Sequence, residues 1–243
     1  MRVREPVSRR HMLLSGAVAA TSTVIGIRGA AGLEPTSDRS SDAPTGRRTK
    51  TLDQDYFKGM YATEADPWHF ATSPYERDKY AATLAALPRA HYASALEVGC
   101  SIGVFTHQLC RRCDALIGLD VVPSVLDAAR ARCADCQNAR FMLAAVPDAW
   151  PDGRFDLIVI SEVAYYLDRA DLARLVERVQ GALLPEADIV LVHWLGVTHY
   201  PLSGDEAAEG FIAGARNFAT VVKQSRTAEY RLDVLRGSKS DAG

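Results

Sequence analysis

Apolar residues along the chain fall into short continuous runs, separated by polar turns and by stretches with helical spacing. Continuous runs of this kind are typical of strands that are buried on both faces of a parallel sheet. Five such runs occur, at 95–98, 115–122, 139–146, 155–160 and 189–194. Helical patterns occur at 123–132, 172–184 and 203–216.

Alternating apolar and polar residues at 220–223 and 230–235 predict a terminal hairpin. Strands that alternate with helices over short connections form a doubly wound α/β sheet. We therefore predict an α/β fold with a doubly wound, mostly parallel, seven-stranded sheet, in which the last two strands add an antiparallel hairpin.

The two ends of the chain differ in composition from its centre. Residues 1–31 place Arg9-Arg10 before an apolar run, which resembles a twin-arginine export signal or is a spurious leader. Residues 32–50 are rich in Pro, Ser, Asp and Gly, which predicts a disordered linker. We expect the folded domain at 51–236 and a flexible tail at 237–243.

Length and charge limit the classes of function. The chain has 243 residues, of which 48% are hydrophobic, and a formal net charge of −2. A near-neutral chain lacks the concentrated lysine and arginine that bind phosphate backbones, so nucleic acid is not an expected partner. The apolar run near the amino terminus is too short and too polar for a membrane span. A small molecule is therefore the expected ligand.

The segment 95–108, ALEVGCSIGVFTHQ, changes from a strand pattern to a helical pattern across two glycines. Such a junction presents unpaired backbone N–H groups and the positive end of a helix dipole, which suits a polar or anionic part of a ligand. The pattern Gly99-x-Ser101-x-Gly103 matches a dinucleotide loop in part, and it also matches the nucleophile elbow of serine hydrolases. A cofactor loop, a hydrolase that uses Ser101 and a structural turn are the three interpretations. The hydrolase is a minor alternative, because the elbow would lie on the first strand with no oxyanion loop before it.

Polar residues end several predicted strands, and the carboxyl ends of parallel strands border the ligand crevice. Asp120 ends the second strand about twenty residues after the glycine turn, the offset of a carboxylate that binds a ribose diol. Ser161, Glu162 and Tyr166 follow the fourth strand, and His193 lies at the end of the fifth. A histidine at a strand end is often structural, but it also serves as a base near neutral pH.

An arm rich in aromatic residues, 53–80, precedes the glycine turn. Ser73-Pro74-Tyr75-Glu76 has the features of a helix start, and the helix should continue to Leu87. Most of the aromatic side chains should cover the core. Trp68, Tyr75 and Arg77 are candidates for a lid over a cofactor loop.

Five cysteines include two pairs, Cys110/Cys113 and Cys133/Cys136, with the spacing of a structural zinc site. Both pairs should lie near the carboxyl ends of helices, away from the ligand crevice. Structural zinc is therefore a minor alternative, and we expect no metal in the functional site.

Three segments resemble class I S-adenosylmethionine (SAM)-dependent methyltransferases. EVGCSIGVF resembles their motif I with Ser101 in place of the middle glycine, GLDVV resembles the acidic second-strand motif, and FDLIVISEVAYYL resembles the fourth-strand motif. DPWHFATSPYERDKYAATLAALP, SEVAYYL and HWLGVTHYPLSGDE resemble, more narrowly, the nodulation protein S (NodS) family. The resemblance covers about residues 53–236 and favours SAM over a nicotinamide cofactor.

The resemblance implies a Rossmann-like methyltransferase fold and N-methylation of an amino sugar, as in nodulation-factor chitooligosaccharides. Another amine or hydroxyl acceptor, or SAM binding without catalysis, stays open, as does the oligomeric state. SAM is made and used in the cytoplasm, so we expect a cytoplasmic enzyme. Export through Ser8-Arg9-Arg10 is the alternative.

The resemblance also implies which residues contact SAM, most of them in the glycine turn and at the strand ends. The predicted cofactor residues are Tyr75, Arg77, Glu97, Gly99, Ser101, Gly103, Asp120, Val121, Val122, Ala145, Val146 and Ser161. Asp120 should bind the ribose. Ala145-Val146 falls where relatives usually carry an acid that reaches the adenine amine, so this chain lacks that acid at the expected position.

The predicted catalytic residues are Glu162, Tyr166 and His193. An amine attacks the sulfonium methyl group in line, so it must be neutral and held close, and positioning supplies much of the rate. These three side chains are the candidates to orient the amine or to take its proton.

Overall fold

The computed structural model describes residues 46–239 and contains one seven-stranded sheet. The strands are β1 Tyr92–Val98, β2 Cys113–Asp120, β3 Ala139–Leu143, β4 Phe155–Ser161, β5 Leu183–Trp194, β6 Ala219–Arg226 and β7 Tyr230–Gly237. Their order is β3-β2-β1-β4-β5-β7-β6. The first five strands pair in parallel, and β7 pairs antiparallel with both β5 and β6. The predicted α/β sheet with its antiparallel hairpin is confirmed.

Six α-helices cover and connect these strands within the described residues. They are α1 Gln54–Thr63, α2 Pro74–Ala86, α3 Thr106–Leu109, α4 Pro123–Arg132, α5 Arg169–Ala182 and α6 Gly204–Ala215. Two 3₁₀ turns follow α3 and β4, at Cys110–Arg112 and Ala164–Tyr166. Across residues 46–239, no helix has the length and apolar character that a membrane span requires.

Apolar side chains fill both faces of the central strands, which explains why these strands are continuous hydrophobic runs. Alternate residues point to opposite faces of a strand. Leu96 and Ile158 lie in the cluster on one face, and Ala95 and Leu157 lie in the cluster on the other. The chain passes from β1 outward to β2 and β3, and then returns to β4 beside β1. This reversal opens a crevice at the carboxyl ends of β1 and β4.

Two elements differ from the sequence prediction. Helix α1 was not predicted, because none of its residues is buried and its apolar side chains pack against the core only in part. Strand β5 begins at Leu183, inside the predicted helix 172–184, and passes through Pro185. The pairing with β4 shifts register between Phe155 and Leu157, and this bulge accommodates the proline at the start of the strand.

The folded part extends beyond the predicted limits of 51 and 236. Arg47 donates from Nε to the Tyr200 carbonyl oxygen at 2.9 Å and from Nη2 to a Glu206 carboxylate oxygen at 2.7 Å. Ser238 donates its N–H to the Phe218 carbonyl oxygen at 2.8 Å. These contacts are polar, so a hydrophobic pattern does not detect them. The predicted leader at 1–31 and most of the predicted linker and tail lie outside the described residues.

The cysteines do not form the predicted pattern of two zinc-binding pairs. Cys110 and Cys136 are joined by a disulfide bond, with their Cα atoms 6.1 Å apart. Cys113 and Cys133 are buried and free. Each C-x₂-C pair therefore contributes one cysteine to the bridge and one free cysteine, and all four are buried in the same core cluster.

Gly103 is expected to contribute to stability through backbone geometry. Its φ is +77°, and a Cβ at this position would lie 3.0 Å from the Ala129 Cα atom of α4. We predict that Gly103→Ala lowers the free energy of unfolding by about 1–3 kcal/mol. Gly181→Ala is the matched control, because α5 leaves open space there, and it should be neutral or stabilising by up to about 1 kcal/mol. Urea denaturation would contradict this account if both variants shifted the midpoint equally.

Candidate active site

A cavity of about 440 Å³ lies at the carboxyl ends of β1, β2 and β4, where the strand order reverses. This volume is within the usual range for small-molecule sites. Ten predicted site residues line it: Glu97, Gly99, Ser101, Asp120, Val121, Ala145, Val146, Ser161, Glu162 and Tyr166. The sequence pattern therefore located the crevice, because polar residues directly after apolar strands lie at this edge.

Five predicted site residues do not line the cavity: Tyr75, Arg77, Gly103, Val122 and His193. Arg77 is exposed and contacts Asp78, whereas the Tyr75 ring packs against Tyr230. Val122 is buried beside Val125, at the start of α4. His193 is fully buried, and its ring contacts the Tyr165 ring at 5.5 Å between centroids.

Several backbone N–H groups of the glycine turn donate to carbonyl oxygens of the protein. The N–H groups of Gly99 and Cys100 both donate to the Leu119 carbonyl oxygen, at 2.9 and 2.8 Å. The N–H of Gly103 donates to the Cys100 carbonyl oxygen at 3.0 Å. Three of the N–H groups of this turn therefore already have partners within the protein. The following helix, α3, has only four residues and adds little dipole.

Ser101 contacts other residues of the cavity wall through both its backbone and its side chain. It adopts a left-handed φ of 48°, and its N–H donates to Asp120 Oδ2 at 3.0 Å. Its Oγ lies 2.6 Å from the Tyr61 hydroxyl oxygen of α1. None of the five histidines in residues 46–239 lines the cavity, so the wall offers no imidazole to activate Ser101 as a hydrolase would need.

Glu97 is buried at the floor of the cavity, with 2% of its surface exposed. Its Oε2 atom has no hydrogen-bond partner among the described residues. Burial raises the pKa of Glu97 to about 7. Burial also raises the pKa of Asp120 to about 6, although its carboxylate accepts from the N–H groups of Ser101 and Val122. A cation that enters the cavity would stabilise the ionised form of both carboxylates.

Glu162 also lies in the cavity wall, but the protein supplies its partners. Its Oε1 accepts from Lys79 Nζ at 2.6 Å, and its Oε2 accepts from the Tyr165 hydroxyl at 2.6 Å and the Trp194 N–H at 3.0 Å. Lys79 is 1% exposed and also contacts Glu76 Oε2 at 2.9 Å. This buried ion pair fixes the Glu162 carboxylate relative to α2 and β5.

The cavity lining is strongly acidic. Its ionisable carboxylates are Asp53, Glu97, Asp120, Asp148, Glu162 and Asp171. Across residues 46–239, no lysine, arginine or histidine lines the cavity. Such a wall repels a pyrophosphate group and attracts a ligand that carries positive charge.

The sequence prediction missed the wall that α1 and the following loop provide. Gln54, Phe57 and Tyr61 of α1 line the cavity, as do Trp68 and Phe70. The Gln54 side-chain amide donates to the Val121 carbonyl oxygen, which links α1 to the end of β2. Trp68 was a predicted lid residue. The four-residue spacing of Phe57 and Tyr61 was the sequence signal for the wall that α1 provides, since residues four apart share one helix face.

The residues present fit the SAM that the sequence resemblance implies. SAM carries an ammonium group and a sulfonium centre, and the buried, unpartnered Oε2 of Glu97 is an acceptor for the former. Aromatic rings of Trp68 and Phe70, whose centroids lie 5.5 Å apart, face the same cavity. A cation next to an aromatic wall is stabilised further.

Comparison with known proteins points to one family. The family model described as nodulation protein S (NodS) matches residues 54–192. Nodulation protein S of Rhizobium tropici is 34% identical over 158 residues, which cover 64% of this chain and 66% of that protein. Nodulation protein S of Bradyrhizobium diazoefficiens is 29% identical over 180 residues, which cover 72% of this chain and 82% of that protein.

A solved structure has the same fold. It is the N-methyltransferase NodS from Bradyrhizobium japonicum WM9 in complex with S-adenosyl-L-homocysteine, with a TM-score of 0.65. The two sequences are 23% identical, and the match covers 76% of this chain and 97% of that chain.

Glu97 is expected to cost stability in the protein without ligand. Because its pKa is raised from 4.5 to about 7, the folded state favours the protonated side chain. The free energy of unfolding is therefore highest below pH 4.5 and falls as the pH rises through 7. We predict that Glu97→Gln, which mimics the neutral acid, removes this loss and stabilises the protein at pH 8 by up to about 3 kcal/mol. Thermal unfolding at pH 5 and pH 8 measures the difference.

Glu177→Gln provides the control for this prediction, because Glu177 is exposed on α5. It should keep the pH profile of the parent protein. The account fails if the Glu97→Gln and parent stability curves run parallel between these two pH values.

Proposed function

The chain belongs to the nodulation protein S family of SAM-dependent methyltransferases, and we propose that it transfers the methyl group of SAM to the free amine of an amino sugar. The family match spans residues 54–192, which include β1 to β4 and most of β5. The enzyme is therefore a methyltransferase, and its cofactor is SAM. The amino sugar and the roles of individual residues are the proposal.

The observation that carries the proposal is the acidic lining of the cavity. Asp53 and Asp171 lie with Glu162 in the wall, and no basic side chain of residues 46–239 lines the cavity beside them. Lys79 pairs with Glu162 and Arg174 pairs with Asp171 from outside the lining. An amine acceptor enters as an ammonium ion, which this wall attracts. Acceptors with a phosphate or carboxylate group are disfavoured by the same charge.

We assign the cofactor to the side of the cavity formed by β1, β2 and the residues after β3. Glu97 would accept from the ammonium group of the methionine part. The carboxylate of Asp120, oriented by the Ser101 N–H, would accept from the ribose hydroxyl groups. SAM supplies an electrophilic methyl group on a positively charged sulfur.

The adenine would lie beside Val121 and Ala145-Val146. This chain lacks an acid at 145–146, but Asp148 lines the cavity two residues later. Its Oδ1 accepts from Arg174 Nη2. We propose that the Asp148 carboxylate also accepts from the adenine amine and so replaces the contact that relatives make from the earlier position.

We assign the acceptor amine to the wall formed by Glu162 and Tyr166. The contacts of Glu162 with Lys79, Tyr165 and Trp194 keep its carboxylate fixed, which suits a group that positions an amine. The amine must lose its proton before it attacks, because an ammonium group has no lone pair. An amino-sugar amine is less basic than an alkylamine, since neighbouring C–O bonds withdraw electrons.

His193 is not part of the proposed machinery. Its side chain is fully buried and outside the cavity, where it contacts the Tyr165 ring. It would act on the reaction only through Tyr165, which donates to Glu162.

We propose the cytoplasm as the location of the enzyme, because SAM is made and used there.

The proposal predicts that acceptor activity depends on a free amine. Purified full-length enzyme with methyl-labelled SAM should methylate chitooligosaccharides that carry one free terminal amine. The matched control is the same oligosaccharide with that amine acetylated, which should give less than about one hundredth of the rate, because an amide nitrogen is not nucleophilic. Mass spectrometry locates the methyl group.

Equal labelling of both oligosaccharides would place the methyl group on a hydroxyl and contradict the proposal. SAM binding without transfer to these or to unrelated amines would favour a SAM-binding protein without catalysis. Transfer only to an unrelated small amine would keep the methyltransferase but reject the amino sugar.

A further inference from the structure

A second group of chemically active side chains lies at the opposite end of the sheet from the cavity. His107 lies in α3, and Cys110 begins the following 3₁₀ turn. Asp135 and Cys136 lie in the loop between α4 and β3. These residues precede the amino ends of β2 and β3, and none of them lines the cavity. The methyltransferase reaction does not use them.

The ligand atoms of this cluster converge on one point. Those of His107, Asp135 and Cys136 all lie within 4.8 Å of one another. His107 Nε2 is 3.0 Å from Asp135 Oδ1 and 3.1 Å from Asp135 Oδ2. Cys110 reaches the same point, because its sulfur is bonded to that of Cys136.

The donor set matches the preference of one metal. Two thiolates, one imidazole and one carboxylate form a four-ligand set that suits zinc in tetrahedral geometry. Zinc–sulfur bonds of about 2.3 Å require the two sulfurs to stand about 3.8 Å apart. The Cα atoms of Cys110 and Cys136 are 6.1 Å apart, which leaves side-chain rotation to provide that separation. His107 and Cys110 are three residues apart, so one helical turn directs both side chains to the same side.

We propose that the reduced form of this protein binds one zinc ion through His107, Cys110, Asp135 and Cys136. This site differs from the one that cysteine spacing predicts. Cys113 and Cys133 do not belong to the converging group, and both are free and buried in the core. Asp135 is 62% exposed, so the ion can enter from solvent.

The disulfide and the zinc site are alternative states of the same two sulfurs. A dithiol reductant gives two electrons to the Cys110–Cys136 bond, which breaks into two thiols while the reductant becomes a disulfide. Zinc then replaces the two thiol protons, which pass to the solvent. In a reducing compartment the thiols are the expected state, and bound zinc protects them from oxidation.

Zinc at this place would hold together two segments that border the cofactor loop. Arg132 Nε already donates to the Ile102 carbonyl oxygen at 2.8 Å, which ties the end of α4 to the glycine turn. The metal would add a second link between α3 and the loop after α4. Zinc should therefore raise the thermal unfolding midpoint of the reduced protein.

The test uses the full-length chain without a purification tag. The protein is reduced with dithiothreitol under argon, desalted, and titrated with zinc against a chromophoric chelator. We expect one zinc per reduced chain and none in the oxidised chain. Cobalt in place of zinc should give a thiolate-to-metal charge-transfer band, which reports sulfur ligands directly.

Matched variants separate a built site from surface binding. His107→Ala and Asp135→Ala remove proposed ligands, and His107→Ala should lower zinc affinity at least about 100-fold. His91→Ala is the control, because the exposed His91 pairs with Asp114 at 2.7 Å but does not belong to the converging group. It should leave zinc affinity unchanged. Retained SAM binding verifies that each variant is folded.

Cys136→Ser should weaken the cobalt–thiolate band, because only Cys110 then supplies a thiolate, whereas Cys113→Ser, with the same number of cysteines, should leave the band unchanged. If the cysteine variants do not fold, the comparison of zinc affinity between His107→Ala and His91→Ala decides. The proposal is overturned if the reduced chain loses zinc to the chelator, or if the control variants lose zinc as much as the ligand variants do.

Discussion

Buried carboxylates at the carboxyl ends of the central strands are the constraint on which the site depends. Glu97, Asp120 and Glu162 each lie in or directly after a strand whose central residues are apolar. An ionised carboxylate away from water is costly unless it has partners. Each carboxylate therefore needs hydrogen-bond donors or a positive charge, from the protein or from a ligand.

The three carboxylates are compensated in different ways. Glu162 receives a buried lysine, a tyrosine hydroxyl and a backbone N–H from the protein itself. Asp120 receives only backbone N–H groups, and its pKa is still raised to about 6. Glu97 retains an oxygen without a partner and has a pKa of about 7. The protein thus leaves negative charge on the side of the cavity assigned to the cofactor, where a cationic cofactor can neutralise it.

Much of this arrangement could be predicted from the sequence, because apolar strands that end in polar residues specify both the sheet and its active edge. Contacts made by exposed elements could not. Helix α1 has no buried residue, so only the four-residue spacing of Phe57 and Tyr61 indicated its part in the cavity wall. Cys110 and Cys136 meet only because two turns come together in space, which spacing along the chain does not encode. The N–H groups of Gly99 and Cys100 both donate to the Leu119 carbonyl oxygen, a pairing that the glycine pattern of the turn does not reveal.

The acidic cavity is expected to bind SAM through the positive charge that SAM carries. Calorimetric titration with SAM near pH 7, in two buffers of different ionisation enthalpy, tests this most directly. One SAM per chain should bind with release of protons, because the cation stabilises the ionised form of Glu97, whose pKa is about 7. NAD, with its anionic pyrophosphate, should give no binding heat. SAM binding without proton release, or equal binding of NAD, would contradict the claim.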